Sequence, residues 1–195
     1  MVIHIKTIKE EITNEIEIKN SRFITRIFKA EIESIPLYLN QVKQEYPKAT
    51  HYCYAYISKN CQKSSDDNEP TGTAGKPILN VLEKENLEKV LVIIIRYFGG
   101  IKLGAGGLIR AYTKATTEAL QKATFQEVVD AYKIKIHFPY SEEKRITYLL
   151  KEDNIIKKEF QTEITYWAII EKEKLKELGP IKYEIIEETT IKRDY

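Results

Sequence analysis

Two stretches of this chain bring together side chains and backbone able to do chemistry. The first is Glu69-Pro70-Thr71-Gly72-Thr73-Ala74-Gly75-Lys76-Pro77, preceded by Asp66 and Asp67. Gly72, Gly75 and Lys76 stand at the start of a predicted helix, where free backbone N–H groups and the helix dipole favour an anion. A Walker A loop is excluded, because four residues must separate its first glycine from Gly-Lys and here only two do. Asp66, Asp67 and Glu69 are carboxylates of the kind that hold a divalent cation or exchange protons. The plainer reading is a surface loop with turn glycines, an acidic tip and a proline-started helix.

The second stretch, Arg96 to Tyr112, runs from an apolar segment through Gly99, Gly100, Gly104, Gly106 and Gly107 into a predicted helix. Glycines there let a phosphate, or another backbone, approach the main chain closely. Lys102 lies within the turn and Arg96 before it, while Arg110 and Lys114 share a helix face at i, i+4. Leu108, Tyr112, Ala115 and Ala119 form the opposite, buried face. The pattern points to an anion-facing site made of Arg96, Lys102, Arg110, Lys114 and the turn backbone; tight strand–helix packing is the alternative.

A third candidate is weaker. His51-Tyr52-Cys53-Tyr54-Ala55-Tyr56 reads as a strand with His51 and Cys53 on one face and three tyrosines on the other. A Cys–His nucleophilic pair is conceivable there, without an identifiable third group to orient it. The tyrosines suit base stacking, or simply a half-buried strand. Cys53 and Cys61 lack metal-finger spacing, and the histidines stand far apart at 4, 51 and 137. No metal, cofactor or catalytic residue is expected.

The elements that must position these residues follow from periodicity. Ile12 to Ile18 and Phe23 to Ala30 alternate as a hairpin, and a helix from Ser34 with Pro36 in its first turn ends near Tyr46. Ser58 to Lys76 reads as a polar loop, Pro77 to Glu85 as a short helix, and Val90 to Phe98 as a strand buried on both faces. Gly99 to Gly107 reads as a flexible turn before a helix from Leu108 to Ala123. Beyond residue 132 the order is β-α-β-β-α-β, the ferredoxin-like pattern, with Trp167 and His137 in or near its core. The fold class expected is α+β, with domains at 1–132 and 133–195.

Composition removes other classes. The 195 residues are 43% hydrophobic and 31% charged, a globular balance rather than a disordered one. The longest apolar run, Val90 to Ile95, is far short of a membrane helix, and no basic-then-apolar leader opens the chain. Two cysteines are too few for a disulfide scaffold, so a cytoplasmic location is expected. The net charge of +2 is uneven: residues 89–122 hold six cations and one carboxylate, a local +5.

Ser65 to Leu79 followed by the Arg96–Tyr112 block resembles the YigZ/IMPACT family, and His51 to Ala55 is similar to that family's preceding strand. Asn68 and Thr71 stand where Gly and Ser are commoner. The resemblance covers about the first 130 residues closely, and the remainder is similar to the YigZ-type extension. It implies an N-terminal domain like domain four of elongation factor G, with a left-handed β-α-β crossover, and a ferredoxin-like C-terminal domain like that factor's domain five. Eukaryotic relatives regulate translation through a protein partner and carry a further interaction domain that this sequence does not show.

The function expected is that of a non-enzymatic RNA- or ribosome-associated regulator of translation. A translation factor or regulatory protein is a further expected partner. Alternatives are a small-molecule or nucleotide-phosphate enzyme using the Gly-rich loops, and a protein-interaction module. The small-molecule kinases share the broad fold, and Gly104 to Leu108 is placed as their phosphate loop is. Their usual lysine and carboxylate context is missing.

Overall fold

The computed structural model describes residues 4–194. Contacts divide the chain into two compact units, Lys6–Gln126 and Glu127–Arg193, the latter together with His4 and Ile5. The first unit is a five-stranded antiparallel sheet with helices on both faces. In chain order it contains β2 (Ile12–Ile18), β3 (Ser21–Lys29), α1 (Ile35–Glu45), β4 (His51–Ser58), β5 (Cys61–Ser65), α2 (Gly75–Lys84), β6 (Val90–Tyr97) and α3 (Ala105–Leu120). Strand β1 (His4–Ile8) precedes them. The sheet order is β2-β3-β6-β4-β5.

The central place of β6 explains its composition. Val90, Val92 and Ile94 enter the core under α2 and α3, while Leu91, Ile93 and Ile95 enter the core under α1. A strand buried on both faces has no polar side to alternate with. On β3, Phe23 and Ile27 face the first core and Ile24 and Phe28 the second. Helix α3 approaches closely because Ala111, Ala115 and Ala119 face the core, and the Thr25 hydroxyl donates to the Ala115 carbonyl at 3.3 Å.

Two crossovers build this sheet, β3-α1-β4 and β5-α2-β6. Strands β3 and β4 are parallel to each other, both antiparallel to β6 between them; β5 and β6 are likewise parallel across β4. The crossovers step in opposite directions from oppositely pointing strands, and their helices lie on opposite faces. Equal handedness would require both helices on the same face, so one of the two is left-handed, against the strong right-handed rule. The α+β fold with an unusual crossover is therefore present.

The second unit has β7 (Phe125–Phe138), α4 (Glu143–Leu150), β8 (Ile155–Phe160), β9 (Ile164–Glu171), a 3-10 helix over Lys172–Leu178, and β10 (Tyr183–Asp194). Its sheet runs β1-β7-β9-β8, with β10 also on β7. Ile134, Ile136 and Phe138 alternate into a core with Tyr166, Ala168, Ile146 and Leu178.

Several local expectations change. The 58–76 loop contains strand β5, whose polar residues hide an edge strand held to β4 by backbone bonds. Helix α3 starts at Ala105 rather than Leu108, so Gly106 and Gly107 are helical and not part of the turn. Strand β7 begins at Phe125, and the division between units falls inside it. His137 is exposed, and Trp167 is half-buried and outside the core cluster.

Candidate functional site

Strand register places the central residues. His51 stands opposite Arg96 across β4 and β6, and Phe23 opposite Arg96 across β6 and β3. Tyr112 descends on this row from α3, meeting Phe23 edge-on at 5.3 Å. Glu69 reaches it from the loop between β5 and α2. Its Oε1 accepts from Arg96 Nη1 at 2.5 Å and from the Tyr112 hydroxyl at 2.8 Å. Its Oε2 faces His51 Nε2 at 3.8 Å. Arg96 Nη2 donates to Ser21 Oγ, which also accepts from the Gly99 N–H, both at 3.3 Å.

This arrangement corrects the reading of Arg96. It is 4% exposed and Glu69 8%, so the guanidinium is spent on an internal carboxylate and is not offered to a phosphate. A buried charge is tolerated only when paired and hydrogen-bonded, and Glu69, Ser21 and the Phe23 ring supply that pairing. Cys53 lies in the same cluster, with Sγ 3.2 Å from the Tyr112 oxygen and 3.0 Å from the Asp66 carbonyl oxygen. Burial drives its thiol well above the usual range, outweighing the Tyr112 contact. It is no nucleophile. His51 donates from Nδ1 to the Asp67 carbonyl at 2.8 Å, which fixes the ring beside Glu69.

The acidic loop is likewise turned inward. One Asp66 oxygen accepts from the Ala74 and Gly75 N–H groups at 3.0 and 2.8 Å, and the other from Gly72 at 2.8 Å. Burial raises the Asp66 pKa, but these backbone bonds outweigh it and hold the carboxyl below its ordinary value. The α2 N-terminus thus already has its anion. Asp67 accepts from the Tyr52 N–H at 2.6 Å. Asp67 and Asn68 have φ of +42° and +66°, a left-handed turn that Asn tolerates better than most residues and Gly better still. Gly75 is required by crowding, since a Cβ would come within 2.7 Å of the Ser65 backbone. Lys76 is exposed and pairs with Glu83 at 3.9 Å.

The glycine-rich turn is different in kind. Gly99 packs against the β2-β3 hairpin tip, where a Cβ would collide with the Asn20 carbonyl. Gly100 and Gly104 have φ of +84° and +71°. Gly104 is the N-cap of helix α3, which has no side-chain cap and no acidic residue in its first turn. Lys102, Arg110 and Lys114 are exposed. Lys114 pairs with Glu118 at 3.6 Å, whereas Lys102 and Arg110 have no carboxylate partner among the described residues. Arg110 Nη1 lies 3.6 Å from where a Gly106 Cβ would stand, so the guanidinium folds over the helix's first turn. Phe98 and Ile101, on either side of Gly99 and Gly100, are each 46% exposed. Sequence reasoning missed the partnership of Tyr112 with Glu69; an apolar-face tyrosine carries no signal of its hydroxyl's partner.

An α+β sheet with crossovers of both hands, closed by a loop whose carboxylates cap a helix and neutralise a buried arginine, defines the class. The family model of the Impact N-terminal domain matches residues 19–120. The chain is 35% identical over 164 residues to an IMPACT family member of Haemophilus influenzae, covering 80% of each chain. It is 46% identical over 118 residues to YvyE of Bacillus subtilis and 40% over 116 residues to YigZ of Escherichia coli, both IMPACT family members. These matches span 54% and 57% of those two relatives' lengths. A crystal structure of a hypothetical protein superposes with TM-score 0.65 at 29% identity, covering 94% of this chain and 98% of that one. The chain belongs to the IMPACT family.

Proposed function

We propose that this protein is a non-enzymatic, cytoplasmic regulator of translation that holds RNA, free or within the ribosome, at the glycine-rich turn and the first turns of α3. The observation that carries the reading is the pair Lys102 and Arg110, cations without a carboxylate partner among the described residues, beside a helix N-terminus with no side-chain cap. Helix ends and cations both favour phosphate oxygens, and Gly106 lets the Arg110 guanidinium lie close over the first turn of the helix. The contrast with α2 supports it: there an internal aspartate takes the same N–H groups. Phe98 and Ile101 add exposed apolar surface suited to splayed bases. The Lys114–Glu118 pair is exposed and opens at little cost. Membership of the IMPACT family supports a regulatory role at the level of the family.

Charge reversal tests the reading. Arg110→Glu with Lys114→Glu is expected to weaken RNA and ribosome association across sequences, with each lost phosphate contact lowering the log–log salt slope by about 0.9 on a duplex. Unchanged association in a variant with wild-type circular dichroism overturns it. The same open helix end also favours a second reading, the phosphate of a small nucleotide. In that case nucleotide raises the melting temperature of the wild type and Gly106→Val abolishes the shift.

A further inference from the structure

In the second unit, Ile134, Ile136 and Phe138 of β7 and Ile164, Tyr166 and Ala168 of β9 point into the core under α4 and the 3-10 helix. Strand alternation sends their neighbours to the opposite face, which no helix of this unit covers. On that face Trp167 occupies the middle of β9. Lys135 of β7 stands directly opposite on one side and Lys157 of β8 on the other, forming one row across three strands. Their ammonium groups lie 5.3 and 4.7 Å from the indole centroid.

We propose that this open sheet face is a base-stacking platform for single-stranded RNA, with Trp167 as the stacking surface and Lys135 and Lys157 as the phosphate contacts. It rests on the RNA reading above. An indole is the largest π surface a side chain offers, and this one, half-buried and outside the core cluster, contributes little to that core. The cations that shield it are mobile ammonium groups on long stems. A base can therefore replace them over the ring while they move to the flanking phosphates. Lys135 has no carboxylate partner among the described residues. Lys157 pairs with Glu159 at 2.6 Å, and Lys133 with Glu187 at 3.1 Å.

Charge complementarity is local rather than global. Residues 127–193 carry thirteen Lys and Arg against fourteen Asp and Glu, so this unit has no general attraction for a polyanion. Lys135 and Lys157 nonetheless flank the one indole. Stacking must then carry most of the affinity, and its salt dependence is shallower than that of the turn beside α3.

Trp167 is the only tryptophan in the chain, so its fluorescence reports the platform directly. The full chain is titrated with an oligoadenylate of about a dozen nucleotides, by tryptophan emission and by anisotropy of the labelled strand. Saturable quenching is expected, with affinity lowered about tenfold or more in Trp167→Ala and within about threefold of wild type in Trp167→Phe. Anisotropy that saturates with unchanged emission, equal affinity in folded Trp167→Ala, or no binding of the strand each overturns the platform. Ribosome association of the charge-reversed variant is a separate measurement, so failure of the platform is distinct from failure of the turn.

Discussion

At the residue scale, the same side-chain types do opposite things according to their partners. Arg96 and Arg110 are both cations of the basic stretch, yet one is closed inside a carboxylate–tyrosine cluster and the other lies open. Removing the charge of Glu69 leaves the guanidinium uncompensated, and Glu69→Gln is expected to cost about 3 kcal/mol in denaturant unfolding. Replacing both members, Glu69→Leu with Arg96→Met, recovers most of that loss if the pair is structural. Asp66 gives a pH signature. Its carboxyl is held below the ordinary value, so the stability it adds is complete above the unfolded pKa of about 3.9 and disappears as pH falls through the lower folded value. Asp66→Asn is expected to lose about 2 kcal/mol at neutral pH, with the gap from wild type narrowing in thermal melts below about pH 4. Thiol labelling distinguishes the cysteines: Cys61, partly exposed, reacts in the native protein, whereas Cys53 waits for unfolding.

At the element scale, the hairpin tip of β2 and β3 and the turn after β6 are fitted to each other. Gly99 sits where any Cβ would strike the Asn20 backbone, which cannot swing aside as a side chain does. Gly100, next along, faces open space and only its φ of +84° disfavours a side chain. Gly99→Ala is therefore expected to cost about 2–3 kcal/mol and Gly100→Ala about 1 kcal/mol, compared by urea unfolding. The reverse order would show that the turn is not anchored on the hairpin. Helix α3 links this scaffold to the surface proposed to bind RNA. Its alanines set the distance to the sheet, Tyr112 locks it to Glu69, and Arg110 emerges on the other side.

At the scale of the whole molecule, each unit has its own core, and the lone tryptophan belongs to the second. Ile136→Ala removes a fully buried side chain from that core, and Ile94→Ala does the same in the first. Each is expected to cost about 2–5 kcal/mol of its own unit's stability. In parallel melts, the first variant should lower the transition seen by Trp167 fluorescence and the second the bulk of the far-UV circular dichroism. A shift of both signals together in both variants would mean the two cores unfold as one.

What the sequence determined by itself is what local periodicity and motif spacing encode. The apolar run of β6 announces a strand buried on both faces, Ser34 and Pro36 mark the start of α1, and the Ser65–Leu79 and Arg96–Tyr112 motifs carry the family. Exposure of Arg110 and Lys114 also followed, because i, i+4 spacing opposite Leu108 and Tyr112 leaves them no other face. The tertiary structure alone decided which charges are free. Glu69 is 27 positions from Arg96 and 43 from Tyr112. Such pairings depend on how strands are ordered in a sheet, which no local pattern records. The same holds for Asp66, whose acceptor oxygens meet N–H groups six to nine residues on only after the loop closes. It also holds for Trp167: alternation places it on one face of β9, but only packing reveals that the other face takes the helices.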